Sequence, residues 1–221
     1  MLATIEAAVV VSYEYGSSFQ ATNGHEHKHL IDYLRLFFVA VNVIVGNTEK
    51  EMLDMHLVIT DVVVLTEYTE FFAQKNAVDT NLIDASTPDP LFNFMSSNGH
   101  LFSEADVVLY FSKFKFALPY EGKKGFRPVR GLAYGGAACT DFSGALIYDD
   151  TNMAGVSTAA HEILHLLGSE HDGAEALPYI PNSPGAVSCP DDRKFVMSAN
   201  QPSGLLPLSS CTRDQVIAFL K

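Results

Sequence analysis

The stretch His161-Glu162-Ile163-Leu164-His165-Leu166-Leu167-Gly168-Ser169-Glu170-His171-Asp172 decides how this chain reads. His161 and His165 stand four residues apart, so on a helix they share one face and can point two imidazoles at a single metal ion. Gly168 follows, and glycine takes the left-handed backbone that stops a helix and reverses the chain. That reversal returns His171 as a third nitrogen ligand. Three neutral imidazoles leave a tetrahedral Zn(II) one open position, which a catalytic site requires and a structural site does not. Glu162 lies beside that position, able to take a proton from a water held there. A core helix with merely packed histidines has no reason to place Gly and His in step beyond its own end.

Working outward, the zinc helix is expected over about Ser157 to Leu167. Upstream, Ile5 to Tyr13 reads as a buried first strand and Met55 to Leu65 as a second, both β-branched and apolar. Asp106 to Phe111 reads as a third, with further strands at Gly131 to Tyr134 and Ala145 to Tyr148. Apolar residues from Leu30 to Val45 recur with helical period and predict the first long helix. A second helix ends over Phe92 to Ser97, its start expected between Asp79 and Pro90, where two prolines blur the boundary. Downstream, a loop rich in Pro, Ser, Asn and Gly fills Ala174 to Pro190. Thr212 to Leu220 reads as a last helix, with Thr212 and Gln215 as a capping box. Strands alternating with helices over the first two thirds predict an α/β sheet.

Composition narrows the function classes. The 221 residues suit one domain, or one domain split into two lobes by a cleft. With 14 Lys+Arg against 26 Asp+Glu, the formal net charge is -12, which disfavours nucleic acid and anionic membranes as partners and points, if anywhere, to basic substrates. The most apolar run, Leu36 to Val45, is broken by Asn42, so no transmembrane helix is expected. The first residues lack the basic and apolar regions of a signal peptide, so the chain reads as starting at a mature domain. No Asn-x-Ser/Thr acceptor occurs. The three cysteines, Cys139, Cys189 and Cys211, are an odd number, so one is unpaired or pairs outside the chain; spacing alone fixes no pairing. None sits in a nucleophile signature, and Gly131 to Cys139 (GLAYGGAAC) lacks the GxGxxG order of a dinucleotide site. His25, His27 and His29 read as a solvated entrance to the first long helix.

The HExxHxxGxxH string resembles that of the metzincin zinc endopeptidases. Asp172 directly after the third histidine is similar to the adamalysin/reprolysin family, which includes the ADAM enzymes and snake-venom metalloproteases. The resemblance implies an α/β metzincin-like catalytic domain. Its twisted, mostly parallel sheet has one antiparallel edge strand, a long zinc helix, and a small irregular C-terminal lobe ending in a helix. Residues 1–170 would form the upper lobe and 171–221 the lower, with the site between them. It further implies Met197 as a hydrophobic floor beneath the zinc, although the family's flanking Cys and Pro are Phe195 and Ala199 here. Gly131, Leu132, Ala133 and Tyr134 correspond to the edge strand that holds substrate backbone. Asp172 would tie down the lower lobe. Cys189 and Cys211 correspond to a bridged pair, and Cys139 to a cysteine whose usual partner lies past the last helix. Glu6 and Asp106 match acidic positions that bind Ca(II) in some members.

The reading implied is a secreted, extracellular, monomeric endopeptidase acting on protein or peptide substrates, with Glu162 activating a zinc-bound water. The Ser203 to Ser209 leucines would favour an apolar side chain after the cleaved bond. The short, Cys-poor form looks more like the enzymes of arthropod venom or saliva than vertebrate ADAMs. The alternative is a module that keeps zinc and works by blocking a partner, against which Glu162 argues, since such a module has no need of a base.

Overall fold

The computed structural model describes residues 1–19, 27–46, 53–66, 82–84, 89–120, 124–200 and 204–221. The chain runs β1 (Leu2–Val11), α1 (Tyr13–Ser17), α2 (Lys28–Val45), β2 (Asp54–Val64), β3 (Leu82–Asp84), α3 (Asp89–Ser97), β4 (Val107–Ser112), β5 (Lys115–Pro119), β6 (Phe126–Val129), β7 (Gly131–Ala133), β8 (Gly144–Tyr148), α4 (Val156–Leu166) and α5 (Ser210–Phe219). Five strands form the main sheet in the order β2-β1-β4-β8-β7. All neighbours in it are parallel except β7, which runs antiparallel to β8. A three-stranded sheet, β3-β5-β6, lies apart from it.

Alternation explains how the main sheet is buried. In β1, Ile5, Ala7, Val9 and Val11 join one core cluster, and Ala8 and Val10 join another. β4 repeats the division with Val107, Leu109 and Phe111 against Val108 and Tyr110, and β8 with Ala145 and Ile147 against Leu146. Successive side chains of a strand point to opposite faces, so strands apolar throughout are covered on both sides. Helices α2 and α4 cover one face; α3 and the small sheet cover the other, through Ile83, Leu91, Phe92, Met95 and Phe116. Asn42, which breaks the apolar run of α2, clips that helix to β2: its side chain accepts from Leu57 N at 2.7 Å and donates to Leu57 O at 2.9 Å.

Several sequence expectations shift. The second helix begins at Asp89, inside the expected start, and ends at Ser97 as expected, but Leu82–Asp84 within that start region is a strand; residues 79–81 and 85–88 lie outside the described set. Strands β5 and β6 carry Pro, Lys and Arg and were not foreseen as strands. The last helix is capped by Ser209, whose hydroxyl accepts from Thr212 N at 3.1 Å, so Thr212 is not the cap and Gln215 is not its box partner. Among the amino-terminal histidines, His25 is outside the described residues, while His27 and His29 are exposed at the start of α2.

Helix α4 starts from a polar knot. Asp149, fully buried, accepts at Oδ2 from Tyr15 Oη (2.8 Å), Tyr33 Oη (2.6 Å) and Thr151 N (3.0 Å), and at Oδ1 from Gly155 N (2.8 Å). Gly155 is the residue that precedes α4, so this one carboxylate satisfies an orphan N–H at its start and binds it to α1 and α2. Thr151 and Met153 are held at φ of 67° and 69°, a left-handed backbone that side chains rarely adopt. Asp149→Ala strands the buried Tyr15 hydroxyl, the part-buried Tyr33 hydroxyl and two N–H groups and is expected to cost about 3 kcal/mol, read as a lower urea midpoint.

Cys189 and Cys211 are joined by a disulfide, with Cα atoms 6.1 Å apart, pinning the loop after the third histidine to the first turn of α5. Cys139 is free and exposed, and its thiol donates to Asp106 Oδ1 at 3.2 Å. Asp106 Oδ2 accepts from Glu6 N at 2.9 Å, so both oxygens of the residue matched to a calcium position already have protein donors. Burial, with the Asp106 carboxylate, pushes the Cys139 thiol up to about 11. Only the thiolate is nucleophilic, so its alkylation rate should climb roughly tenfold per pH unit through pH 10. A plateau near the ordinary thiol value of about 8.5, read by mass spectrometry, would refute this environment.

Candidate metal centre

Helix α4 sets the first two histidines on one face, and its end is built to deliver the third. Gly168 lies at φ 84°. Gly168 N donates to His165 O at 2.9 Å and Ser169 N to Leu164 O at 2.9 Å, the paired bonds of a Schellman ending. A Cβ at Gly168 would sit 2.8 Å from Ile180 Cδ1, so packing as well as backbone demands glycine. The reversed chain brings His171 Nε2 to 3.1 Å from His161 Nε2 and 3.2 Å from His165 Nε2, with 3.1 Å between the first two. Nitrogens bound tetrahedrally at about 2.05 Å are about 3.3 Å apart, so the triangle has the dimensions of a zinc site.

The other ring nitrogens fix which atoms face inward. His161 Nδ1 lies 2.7 Å from Val196 O, and His165 Nδ1 lies 2.7 Å from Ser169 O. A carbonyl only accepts, so both Nδ1 atoms are protonated and both Nε2 atoms present lone pairs. Burial pushes His161 down to about 4 and lowers His165 and His171 as well, so all three rings are neutral near pH 7. Lone pairs converging without protons between them repel unless a cation sits at their centre. Among the described residues, these three histidines are the one cluster of candidate ligands close enough to share an ion.

Glu162 is 6% exposed in the same cleft, and burial pushes its carboxyl up to about 8. A carboxyl held near neutrality can both take and return a proton. Gly131 makes its room: a Cβ there would overlap Glu162 Oε1 and stand 2.7 Å from Cγ and 2.8 Å from Cδ. Gly131, Leu132 and Ala133 form the outermost strand of the main sheet and line a cleft of about 650 Å3. Tyr134 falls beyond the strand, 43% exposed, its ring stacked on Phe92 at 5.5 Å.

Met197 is fully buried beside Val196, whose carbonyl orients His161. Met197 O accepts from Asp172 N at 3.0 Å, and Asp172 Oδ1 accepts from Ser209 Oγ at 2.6 Å. Asp172 therefore ties the third-histidine loop to the cap of α5. Gln215 does the same from the next turn, accepting from Glu170 N at 3.1 Å and donating to Ser169 Oγ at 3.3 Å. Of the Ser203 to Ser209 segment, Leu206 and Leu208 pack on the main core, and no described residue of it lines the cleft. The cleft instead holds Arg127, Arg130 and Arg193, which the sequence reading passed over.

The profile of the Reprolysin-like metallo-peptidase family M12B matches residues 35–172, from α2 to the residue after the third histidine. The chain belongs to that family. It is 36% identical over 116 residues to the human protein named "A disintegrin and metalloproteinase with thrombospondin motifs 13", covering 52% of this chain and 7% of that one. The chain thus spans a small fraction of that relative. It is 26% identical over 221 residues to the venom metalloproteinase antarease-like TserMP_B of Tityus serrulatus, covering 95% of this chain and 89% of the other. Among solved structures it is similar to an archaemetzincin from Methanopyrus kandleri, with TM-score 0.46 and 16% identity over 94% of this chain and 91% of that one.

If the converging Nε2 atoms are a metal site of this reprolysin-like chain, stoichiometric Zn(II) in excess of its dissociation constant should raise the melting temperature by about 5–10 °C. His171→Ala should lose most of that rise and fail to keep zinc through dialysis, measured by elemental analysis.

Proposed function

We propose that this chain is a secreted zinc-dependent endopeptidase. The observation that carries the reading is the triangle of histidine Nε2 atoms sharing a cleft with a buried carboxyl and a free strand edge. Family membership and the named metalloproteinase relatives support it. The Cys189–Cys211 bridge and the venom relatives support an oxidising, extracellular setting. No helix among the described residues is long and apolar enough to cross a membrane.

His161, His165 and His171 would hold the metal. When bound there, Zn(II) polarises the peptide carbonyl and makes water more acidic. The residues of the chain divide the remaining work. The Val196 and Ser169 carbonyls keep His161 and His165 in the tautomer that faces the ion. The outer edge of β7 offers N–H and C=O groups to an extended peptide, holding backbone with little demand on side chains. Glu162 takes the proton of the attacking water and delivers it to the amine nitrogen as the C–N bond breaks. The buried Met197 and Asp172 keep the floor and the third-ligand loop in place. For calcium, Glu6 and Asp106 offer no comparable group of free ligand atoms among the described residues.

The test is cleavage of casein and fluorogenic peptides with and without 1,10-phenanthroline. Glu162→Ala should keep zinc, melt no lower than wild type, and lose about 10²–10⁴ in rate. Gly131→Ala, which displaces the same carboxylate by steric pressure alone, should keep zinc and lose about 10². A wild type that holds zinc yet cleaves nothing would hand the site to the second reading, a metal-retaining module that blocks a partner.

A further inference from the structure

The charge of the cleft runs against the charge of the chain. Overall the protein carries a formal -12. Yet the cleft is lined by three guanidinium groups, Arg127, Arg130 and Arg193, against two carboxyls, Glu162 and Glu170. Among the described residues, ion pairs are formed by Arg35, His56, Lys194 and Arg213, and none by these three arginines. Of the carboxylates beside Arg193 in the chain, Asp192 holds Lys194 Nζ, while Asp191, whose Oδ1 accepts from Ala199 N, keeps its charge and acts on His171. Arg127 and Arg193 are exposed and Arg130 half-buried, and all three are among the residues that line the cleft. They come from two separate segments of the chain. Arg127 and Arg130 flank the junction of β6 and β7, and Arg193 stands before Met197, with its backbone at φ 63°.

Position in the cleft follows from Gly131. Glu162 packs on that residue, at the amino-terminal end of β7, so bond cleavage is placed there. A peptide adding to the free edge in the stronger, antiparallel pairing runs opposite to β7. Its residues after the cleaved bond then extend back past Arg130 toward Arg127, in the cleft that Arg193 also lines. Arginine's planar fork of donors matches a carboxylate in two parallel hydrogen bonds.

We propose that this cleft selects acidic peptide segments, with Asp or Glu among the first three residues after the cleaved bond. The inference rests on the endopeptidase reading and names its substrate class. It also replaces the expectation of basic substrates drawn from net charge, because substrate choice is set by the charges at the cleft, while the summed charge acts at long range and is screened.

The test uses the zinc-loaded protein and a fluorogenic peptide whose cleaved bond has been mapped. Versions carrying Glu or Lys at the second and third residues after that bond are compared by kcat/KM. The Glu version should be favoured by about tenfold, from two or three partly exposed pairs. Raising NaCl from about 0.05 M to about 0.5 M should shrink the preference as screening shortens. In Arg127→Glu with Arg193→Glu the ratio should invert; it is taken within each variant, so losses of folding or loading cancel. If that variant does not fold, the wild-type ratio and its salt dependence decide. Equal or faster cleavage of the Lys version overturns the proposal, as does a preference for Glu only when it precedes the cleaved bond. If no peptide is cleaved, the endopeptidase reading fails on its own. The charge preference is then read from fluorescence anisotropy of the same peptides, and equal binding of Glu and Lys versions overturns it.

Discussion

Three imidazole nitrogens, each with its lone pair turned inward and none with a proton to share, cannot sit 3.1–3.2 Å apart at no cost. The rest of the molecule can be understood as what holds them there. Helix α4 supplies two of the rings at helical spacing, and the Schellman ending at Gly168 supplies the third. The Val196 and Ser169 carbonyls fix the ring faces. The five-stranded sheet, buried on both sides, gives α4 a rigid surface to lie on, and Asp149 anchors its first turn.

How much of this was legible in the sequence depended on how local its cause was. The zinc helix, its stop and the returning histidine are all set within twelve residues, and the string His161 to Asp172 displays them directly. The parallel strands were legible too, because strands covered on both faces read as unbroken apolar runs such as Ala7 to Val11. What escaped depends on partners far along the chain. Gln215 looks like a capping residue when only its own helix is considered, and its partners are 45 and 46 residues away. Asp149 is one acidic residue among many until Tyr15 and Tyr33 arrive from over 100 residues upstream. Strands β5 and β6 are short, each carries a proline and a basic residue, and neither shows an alternation strong enough to mark it.

The same limit applies to charge. A sum over the sequence treats every Asp and Glu as equal, yet Lys194 pairs off Asp192, and Asp106 is taken by a thiol and a backbone N–H. Three arginines line the cleft and form none of the ion pairs found among the described residues. Spatial arrangement, absent from composition, gathers them at one cleft of an acidic chain.

One feature of the carboxyl-terminal helix reaches further than its modest size suggests. Through Ser209 to Asp172 and through Gln215 to Ser169 and Glu170, α5 grips the loop that carries His171, and the Cys189–Cys211 bridge adds a covalent strap. Mechanically, α5 is a handle on the loop that carries His171. Any segment joined after it in a longer polypeptide would be coupled to that loop through two side chains. A truncation that trimmed α5 would leave the whole motif His161 to His171 in the sequence while removing what keeps it closed.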